Sequence, residues 1–234
     1  MLKQNTLIQL QAISKSFGYK HDKTKVLSDV SLSIYKGEFL AITGPSGSGK
    51  TTLTHIIGGL ITPDEGTVSM GGRELKKRSD KAVSRYRNEK VGFVFQNFSL
   101  IPHYTALENV TLPLVVSGIS VRKRQQRAIV LLKTMGLERR MYARASVLSG
   151  GERQRVSIAR ALIMQPDIII ADEPTGSLDS RRGSEVMAIL RDLNTEQAVT
   201  VLMVTHDPAL AKQADRTLHI LDGKIEKEVT NANV

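Results

Sequence analysis

The sequence predicts an α/β fold, built on a parallel β-sheet into which a helical segment is inserted. Residues 38–43 read as a strand that runs directly into a glycine-rich loop and then a helix. Residues 168–171 form an unbroken apolar run of strand length, and residues 199–204 repeat that pattern after an intervening helix. Alternation of this kind indicates a parallel sheet whose functional groups lie at the carboxyl ends of its strands.

The predicted elements follow one another along the chain. Strands are expected over residues 7–13, 26–34 and 38–43, the first two separated by a polar stretch at 19–25, and then over 66–70 and 91–95. Helices are expected over residues 51–58, 107–116, 122–135 and from 150 onward. A hairpin, residues 218–221 and 224–228 turned at Asp222-Gly223, is expected to close the chain.

Length and composition limit the class of protein. The chain has 234 residues, of which 41% are hydrophobic and none is cysteine. This length suits one α/β domain and is too short for two, and the lack of cysteine excludes disulfides and thiolate metal sites. No window reaches the roughly 18 apolar residues of a membrane span, and residues 1–11 lack the apolar core of a signal peptide. We therefore expect a soluble chain that stays where it is made.

The chain is basic, with a formal net charge of +10. Such a charge suits nucleic acid, anionic lipid or an acidic partner. The basic runs are short, at residues 76–78, 122–124 and 139–140, and runs of this length are typical of solvated faces.

The glycine-rich loop at residues 44–51, GPSGSGKT, fits the pattern of a phosphate-binding loop between a strand and a helix. Its glycines let backbone N–H groups close around phosphates, and the start of the helix adds partial positive charge. Lys50 is predicted to reach the terminal phosphates, and Thr51 to ligate Mg²⁺. The predicted nucleotide contacts in this phosphate loop are Gly44, Pro45, Ser46, Gly47, Ser48, Gly49, Lys50, Thr51 and Thr52.

Two carboxylates, Asp172 and Glu173, end the apolar strand 168–171. In isolation, such a pair is more often a solvated turn. With a phosphate loop upstream, bound Mg²⁺·ATP needs one carboxylate near the metal and another to orient or deprotonate the attacking water. The sequence therefore predicts that Asp172 binds the metal and that Glu173 acts on the water.

Gln96 and His206 also follow predicted strands. At the edge of one sheet, the histidine could reach the γ-phosphate and the glutamine amide could contact Mg²⁺ or water. On spacing alone, both residues could equally be structural or simply exposed.

The signature segment, residues 148–155 with the sequence LSGGERQR, predicts a second phosphate-binding helix start. One nucleotide needs only one such site. The second site is therefore predicted to serve a nucleotide held by another chain, and a second copy of this chain is the favoured candidate.

These motifs, in this order, resemble those of the ATP-binding-cassette (ABC) ATPases, and the likeness covers nearly the whole chain. The family motifs are Walker A at 44–51, the Q-loop at Gln96, the signature at 148–155, Walker B at 168–173, the D-loop at 177–179 and the H-loop at His206. The resemblance implies one P-loop ATPase domain over residues 1–234. Its nucleotide-binding core, 1–96 and 165–234, would include an N-terminal antiparallel β subdomain, and a helical subdomain, 97–164, would carry the signature.

The resemblance also implies roles for individual residues. Lys50, Gln96, Glu173 and His206 are implied as catalytic residues, and Thr51, Gln96 and Asp172 as Mg²⁺ ligands. In an implied head-to-tail homodimer, Ser149, Gly150 and Gly151 of one copy contact the γ-phosphate of ATP held by the other, and Glu152 lies close to that nucleotide. Asp179 of the D-loop is also an implied nucleotide-binding residue. Glu152 stands where glutamine is usual in the family, so its contact with the nucleotide is left open.

An aromatic residue stacks on adenine in this family, in a Lys-x-Tyr context soon after the first strand. Here Lys15-Ser16-Phe17 matches that context with phenylalanine substituted, so Phe17 is the implied adenine contact. Tyr19 lies close by and is the alternative.

Residues 92–102, 105–110 and 171–176 look like the bacterial branch that serves macrolide and peptide exporters and lipoprotein release. This likeness implies a peripheral subunit on the cytoplasmic face of the membrane that drives a permease on a separate chain. The segment after Gln96 would dock the permease, and Phe98, Leu100 and Ile101 are expected on a partly exposed docking surface. Ordinary core or a covered loop is the alternative for these three residues.

A soluble ABC ATPase that acts on nucleic acid, or in cell division without moving a solute, is the alternative function. Positive charge is the main argument for nucleic acid. Soluble relatives usually carry a long coiled coil, zinc-binding cysteines or two cassettes, and the sequence shows none of these. The resemblance therefore favours the transporter subunit, with no nucleic-acid partner expected.

Overall fold

The fold consists of two β-sheets and the helices that cover them. The computed structural model describes residues 5–19, 22–75 and 79–231. The strands are β1 (Thr6–Tyr19), β2 (Asp22–Tyr35), β3 (Phe39–Thr43), β4 (Glu65–Met70), β5 (Arg73–Glu74), β6 (Val91–Phe95), β7 (Ile168–Asp172), β8 (Thr200–Val204), β9 (Arg216–Leu221) and β10 (Lys224–Thr230). The helices are α1 (Lys50–Ile57), α2 (Asp80–Lys90), α3 (Ala106–Val116), α4 (Val121–Thr134), α5 (Gly150–Leu162), α6 (Ser180–Gln197) and α7 (Pro208–Ala211).

The larger sheet contains six strands of the described chain, in the order β10-β9-β3-β8-β7-β6. β10 pairs antiparallel with β9, and every other neighbouring pair is parallel. The parallel sheet and the closing hairpin predicted from the sequence are confirmed. Because the carboxyl ends of parallel strands meet at one edge, the residues that follow β3, β6, β7 and β8 lie side by side.

The smaller sheet is antiparallel, and its four strands within the described residues are ordered β2-β1-β4-β5. Its first two strands are longer than predicted, because Phe17 pairs with Thr24 and Gly18 with Lys23. The prediction that polar residues 19–25 separate two short strands is therefore wrong. Both arms of the hairpin are exposed here, so polar side chains stay in water while the backbones pair. Residues 20 and 21 lie outside the described residues.

Side chains of the larger sheet alternate between two hydrophobic cores. Leu40 and Ile42 of β3 face the antiparallel sheet and α1, whereas Phe39 and Ala41 face the layer of α3, α4, α5 and α6. Strands β7 and β8 alternate in the same way. The apolar runs in the sequence are unbroken because both faces of these strands are covered.

The helices agree with the predicted ones where the sequence carries an apolar repeat. The ends of α1, α3 and α4 lie within one residue of prediction, and α5 begins at Gly150. Helix α2 was not predicted because Tyr86 is its one buried residue. Within the described ranges, no helix is long and apolar enough to cross a membrane. The basic run 76–78 lies outside those ranges, and Arg122 and Lys123 are exposed as expected.

Candidate active site

A cleft of about 530 Å³ opens at the carboxyl edge of the parallel sheet. It is lined by the phosphate loop, by residues at the ends of β6, β7 and β8, and by one residue of β2: Val26, Gly44, Ser46, Gly47, Gly49, Lys50, Thr51, Thr52, Gln96, Asp172, Glu173, Val204 and His206. Strand register explains this convergence, because Phe95 lies opposite Asp172 and Asp172 opposite Val204. The residues that follow these positions therefore reach the same cleft.

Two glycines let the phosphate loop pass close to neighbouring backbone. Gly44 has φ +146°, and a Cβ there would collide with the Ile220 carbonyl oxygen. Gly49 has φ +102°, and a Cβ there would lie 2.8 Å from the Val26 carbonyl oxygen. These backbone conformations are strained for residues other than glycine. Gly49 is also the N-cap of α1, so the free N–H groups of the helix start lie beside the cleft.

The Lys50 side chain places a positive charge over the loop. Its Nζ donates hydrogen bonds to the carbonyl oxygens of Gly44, at 2.9 Å, and Pro45, at 2.7 Å. Pro45 thus shapes the loop through its backbone. The loop therefore combines backbone donors with one cation, the combination that binds phosphate.

Asp172 is half-buried at the end of β7. Burial, and then the charge of Glu173, raise the pKa of Asp172 above its ordinary value. The positive charge of His55, the hydroxyl of Thr51 and the charge of Lys50 partly oppose that rise. A predicted metal-binding carboxylate and a predicted metal-binding hydroxyl thus line the same cleft, beside the phosphate loop.

Glu173 turns away from the line of the strand. Its φ of +47° is left-handed, and its backbone N–H donates to the Val204 carbonyl oxygen at 3.0 Å. Its Oε1 lies 2.9 Å from Nδ1 of His206. The Glu173 side chain is mostly buried, whereas the imidazole is exposed. Two residues predicted to act on the γ-phosphate and its attacking water therefore share a hydrogen bond at the cleft.

Gln96 follows β6 and lies against the loop that follows the acidic pair. Its backbone carbonyl oxygen accepts a hydrogen bond from the Ser177 hydroxyl at 3.1 Å. A Cβ at Gly176 would lie 2.8 Å from Gln96 Nε2, so this contact requires glycine or a shift of the amide. The backbone of Gln96 is thus bonded to Ser177, and its side chain lies against Gly176 at the edge of the cleft.

The signature segment lies elsewhere. Ser149 is the N-cap of α5, and its Oγ accepts a hydrogen bond from the Glu152 N–H at 3.3 Å. Among the described residues that line the cleft, none belongs to this segment. A Cβ at Gly150 or Gly151 would approach Leu178 or Arg182, so the start of α5 packs beside residues 177–182. The structure therefore does not bring this helix start into the chain's own cleft.

The sequence was compared with known protein families and proteins. A family model described as "ABC transporter" matches residues 27–176. The chain belongs to this ABC transporter family. It is 46% identical to the lipoprotein-releasing system ATP-binding protein LolD of Bacteroides thetaiotaomicron, over 95% of this chain and all of that one. It is 45% identical to the uncharacterized ABC transporter ATP-binding protein YvrO of Bacillus subtilis, over 94% and 95%.

Two further similarities concern a longer relative and a solved structure. The chain is 48% identical to the macrolide export ATP-binding/permease protein MacB of Photorhabdus laumondii, of which it spans 34%. The ATP-binding cassette MJ0796, solved as a dimer in a post-hydrolysis state with ADP and Pi, is 41% identical. It superposes with a TM-score of 0.89 over 97% of this chain and all of that one. The predicted ABC ATPase fold, ATP hydrolysis and likeness to the macrolide and lipoprotein branch are confirmed.

Two residues of this ABC ATPase that are predicted to contact nucleotide, Glu152 and Asp179, form interactions within their own chain. Glu152 Oε2 accepts a hydrogen bond from the Ser149 N–H at 2.8 Å, and Glu152 Oε1 accepts one from Arg140 Nε at 3.0 Å. Asp179 is the N-cap of α6, and the Arg182 backbone N–H holds the pKa of Asp179 below its usual range. Asp179 lines a second cleft, of about 400 Å³, which shares Glu173 and His206 with the first. Their contact with nucleotide stays a prediction.

The adenine-stacking residue of the ABC ATPase also stays a prediction. The side chains of Phe17 and Tyr19 are 46% and 78% exposed. Lys15 Nζ lies 5.6 Å from the centre of the Phe17 ring, as in the predicted Lys-x-aromatic context. Of the described residues on β1 and β2, Val26 lines the cleft and Phe17 and Tyr19 do not.

Phe98 does not lie on an exposed surface of the ABC ATPase, and that prediction is wrong. The side chain is 8% exposed, and the guanidinium of Arg153 lies 5.0 Å from its ring centre. Arg160 donates to the carbonyl oxygens of Phe98, at 2.9 Å, and Ser99, at 2.6 Å. Two arginines of α5 thus cover this turn. Leu100 is partly buried, and Ile101 is exposed as expected.

Sequence reasoning missed several residues that shape the site. Val26 and Val204 line the cleft as ordinary apolar strand residues, so no sequence signal marks them. Gln154 is buried and donates from Nε2 to the Pro174 carbonyl oxygen at 2.6 Å. This bond joins the signature helix to the loop after Glu173. Its place within the signature segment was the available clue.

Proposed function

We propose that this ATPase dimerises head to tail on ATP, so that each phosphate loop faces the signature segment of a second copy. The observation that carries the proposal is the position of that segment, a phosphate-binding helix start that does not line the chain's own cleft. The similar cassette MJ0796 was solved as a dimer with ADP and Pi, which supports the same arrangement.

The residues at the cleft fit Mg²⁺·ATP. Ser48 is buried, and its Oγ has no hydrogen-bond partner among the described residues, so a phosphate oxygen would satisfy it. Thr51, Asp172 and the Gln96 amide would supply oxygen ligands for Mg²⁺, which usually takes one or two protein carboxylates together with phosphates and waters. A cation there would favour the ionised form of Asp172, whose pKa burial raises. The metal would neutralise charge on the phosphates.

Glu173 is proposed to orient or deprotonate the attacking water. The hydrogen bond to His206 fixes its carboxylate at the cleft, and His206 is exposed enough to reach the γ-phosphate. Lys50 would balance the negative charge of the terminal phosphates. Because Gln96 contacts residues 176–177, a movement of that loop would displace Gln96 and so change the proposed metal site.

A permease is proposed to dock in a groove of about 460 Å³ beside Phe98 and Ser99. The groove lies among α2, β6, α3 and α5, and includes Arg87, Phe95, Ser99, Val116 and Arg160. Val116 is 79% exposed at the end of α3. The predicted division into a core, 1–96 and 165–234, and a helical subdomain, 97–164, would place this groove between the two.

The transporter is proposed to export a drug or peptide, or to release lipoproteins, from the cytoplasmic face of the membrane. The named functions of LolD and MacB support these two classes of substrate. LolD is named an ATP-binding protein and MacB an ATP-binding/permease protein; of these two arrangements, we propose the first, with the permease on a separate chain. A membrane protein that co-purifies with this chain and has a large extracytoplasmic domain would identify this branch, whereas salt-sensitive stimulation of ATPase activity by DNA or RNA would favour the nucleic-acid alternative.

The head-to-tail site is tested by Gly151→Asp. A carboxylate at this helix start would repel the partner's γ-phosphate, so we expect ATP hydrolysis to fall by about a hundredfold or more. The chain's own phosphate loop should still bind a fluorescent ATP analogue with unchanged affinity. Normal hydrolysis by this variant would contradict the proposal, and loss of analogue binding would show that the segment acts within its own chain.

A further inference from the structure

Glu152 differs from the other residues of the signature segment because it brings a negative charge to a helix start that must bind phosphate. Its side chain is 16% exposed, and both carboxylate oxygens are engaged, one by Ser149 and one by Arg140. Burial opposes ionisation, but hydrogen bonds from Ser149 and Arg140 hold the pKa of Glu152 below its usual range. The group is therefore ionised at neutral pH.

Capping of the helix does not require the arginine. At the start of α3, Thr105 and Glu108 form the same capping box, and the Thr105 N–H and hydroxyl both donate to Glu108 Oε2 at 2.8 Å. Among the described residues, no salt bridge joins Glu108 to an arginine; hydrogen bonds from Thr105, and to a lesser extent the charge of Arg144, lower the pKa of Glu108. The ion pair at α5 therefore adds something beyond the cap.

The position of Arg140 is set by packing. It ends a short 3₁₀ turn, Glu138–Arg140, between the buried residues Leu137 and Met141. Its N–H donates to the Leu137 carbonyl oxygen at 3.0 Å. This turn brings Arg140 beside α5, and its Nε lies 3.0 Å from Glu152 Oε1, although the two residues lie in different elements.

We propose that Arg140 is a positioning residue that neutralises Glu152, so that the helix start of α5 can accept the γ-phosphate of ATP held by the partner subunit. This inference rests on the proposed head-to-tail dimer. A carboxylate stabilises a helix start but repels an anion bound there. The guanidinium of Arg140, bound to Oε1, cancels this repulsion.

The test is a double-mutant cycle of Arg140→Gln and Glu152→Gln in the full chain, with steady-state ATPase activity measured over a range of ATP concentrations. The Glu152→Gln side chain keeps an oxygen that can accept the Ser149 N–H. We expect Arg140→Gln to raise the KM for ATP about three- to tenfold in the otherwise wild-type chain, and less than about twofold in the E152Q background. High salt should reduce the difference, because it screens the repulsion.

Arg139→Gln is the matched control, because Arg139 lies in the same turn, is exposed and carries the same charge. It should leave KM unchanged. If Arg140→Gln raised KM equally in the wild-type and E152Q backgrounds, the arginine would have a structural role only. If it raised KM in neither background, Glu152 would need no neutralisation. Either result overturns the inference. Gly151→Asp is measured in the same assay. If this variant still hydrolyses ATP normally, the proposed dimer is wrong; if it does not, the dimer stands and only the role of Arg140 has failed.

Discussion

At the scale of single residues, adjacent carboxylates acquire different environments. Asp172 remains in the strand, half-buried beside the phosphate loop, whereas Glu173 adopts a left-handed conformation that carries its side chain to His206. This conformation costs a residue other than glycine about 1 kcal/mol or more, and such strain concentrates at functional sites. The geometry therefore supports different roles for the two carboxylates.

Lys50→Ala tests the phosphate loop directly. Loss of the charge-assisted contacts should cost about 1.5–3 kcal/mol, or roughly ten- to a hundredfold in ATP affinity, as measured by titration calorimetry. Alanine suits the helical position, so the fold should persist. Lys123→Ala removes the same charge from an exposed site on α4 and should leave the affinity unchanged. Equal affinities of the two variants would remove Lys50 from the phosphate site.

At the scale of elements, the sequence predicts what periodicity and local motifs encode. Helices α3 and α4 were predicted because apolar residues recur on one face, and the strand ends because the motifs follow apolar runs. Helix α2 has no such repeat, because Tyr86 is its one buried residue, and its main sequence signal is the N-cap Ser79, which accepts a hydrogen bond from the Ala82 N–H.

The contacts that join distant segments could not be predicted. Phe98 was predicted to be exposed because it is an apolar residue in the segment after Gln96. Its burial depends on Arg153 and Arg160, which belong to a later helix. The pairing of Glu152 with Arg140 likewise depends on how the turn before α5 folds back. The positions at the end of each strand were predictable, but the hydrogen bond between Glu173 and His206 required the structure.

Val116→Lys tests the groove between α2, α3 and α5 as the permease site. A lysine at this exposed position would have to be desolvated on docking, so the amount of the proposed permease that co-purifies with this chain should fall about tenfold. Val130→Lys on α4 is the matched control, because that valine is 63% exposed and does not line the groove. Equal capture of the permease by the two variants, both with normal thermal stability, would place docking elsewhere.

At the scale of the whole molecule, the proposed dimer would build each hydrolysis site from two parts, one supplied by each chain. The phosphate loop, Asp172 and Glu173 share one cleft, and the signature segment packs beside the D-loop at residues 177–179. The second cleft, which contains Asp179, shares the lining residues Glu173 and His206 with the first. The carboxylate that is proposed to act on water is thus also placed where a partner chain would approach.

Glu173→Gln separates binding from hydrolysis in this assembly. The amide keeps the size of the side chain but cannot accept a proton from water, so hydrolysis should fall by roughly a hundredfold or more while ATP binding persists. Because the proposed dimer separates only after hydrolysis, ATP should shift the variant from the 25.7 kDa monomer to a dimer in size-exclusion chromatography with light scattering.

The same variant with Gly151→Asp added should remain monomeric with ATP, because the carboxylate at the start of α5 repels the nucleotide that joins the two copies. Wild-type hydrolysis by Glu173→Gln would remove that residue from its role. If instead the double variant also dimerised, ATP would join the chains through a surface other than the signature segment. The phosphate loop of one chain and the signature segment of the other would then not form a common hydrolysis site.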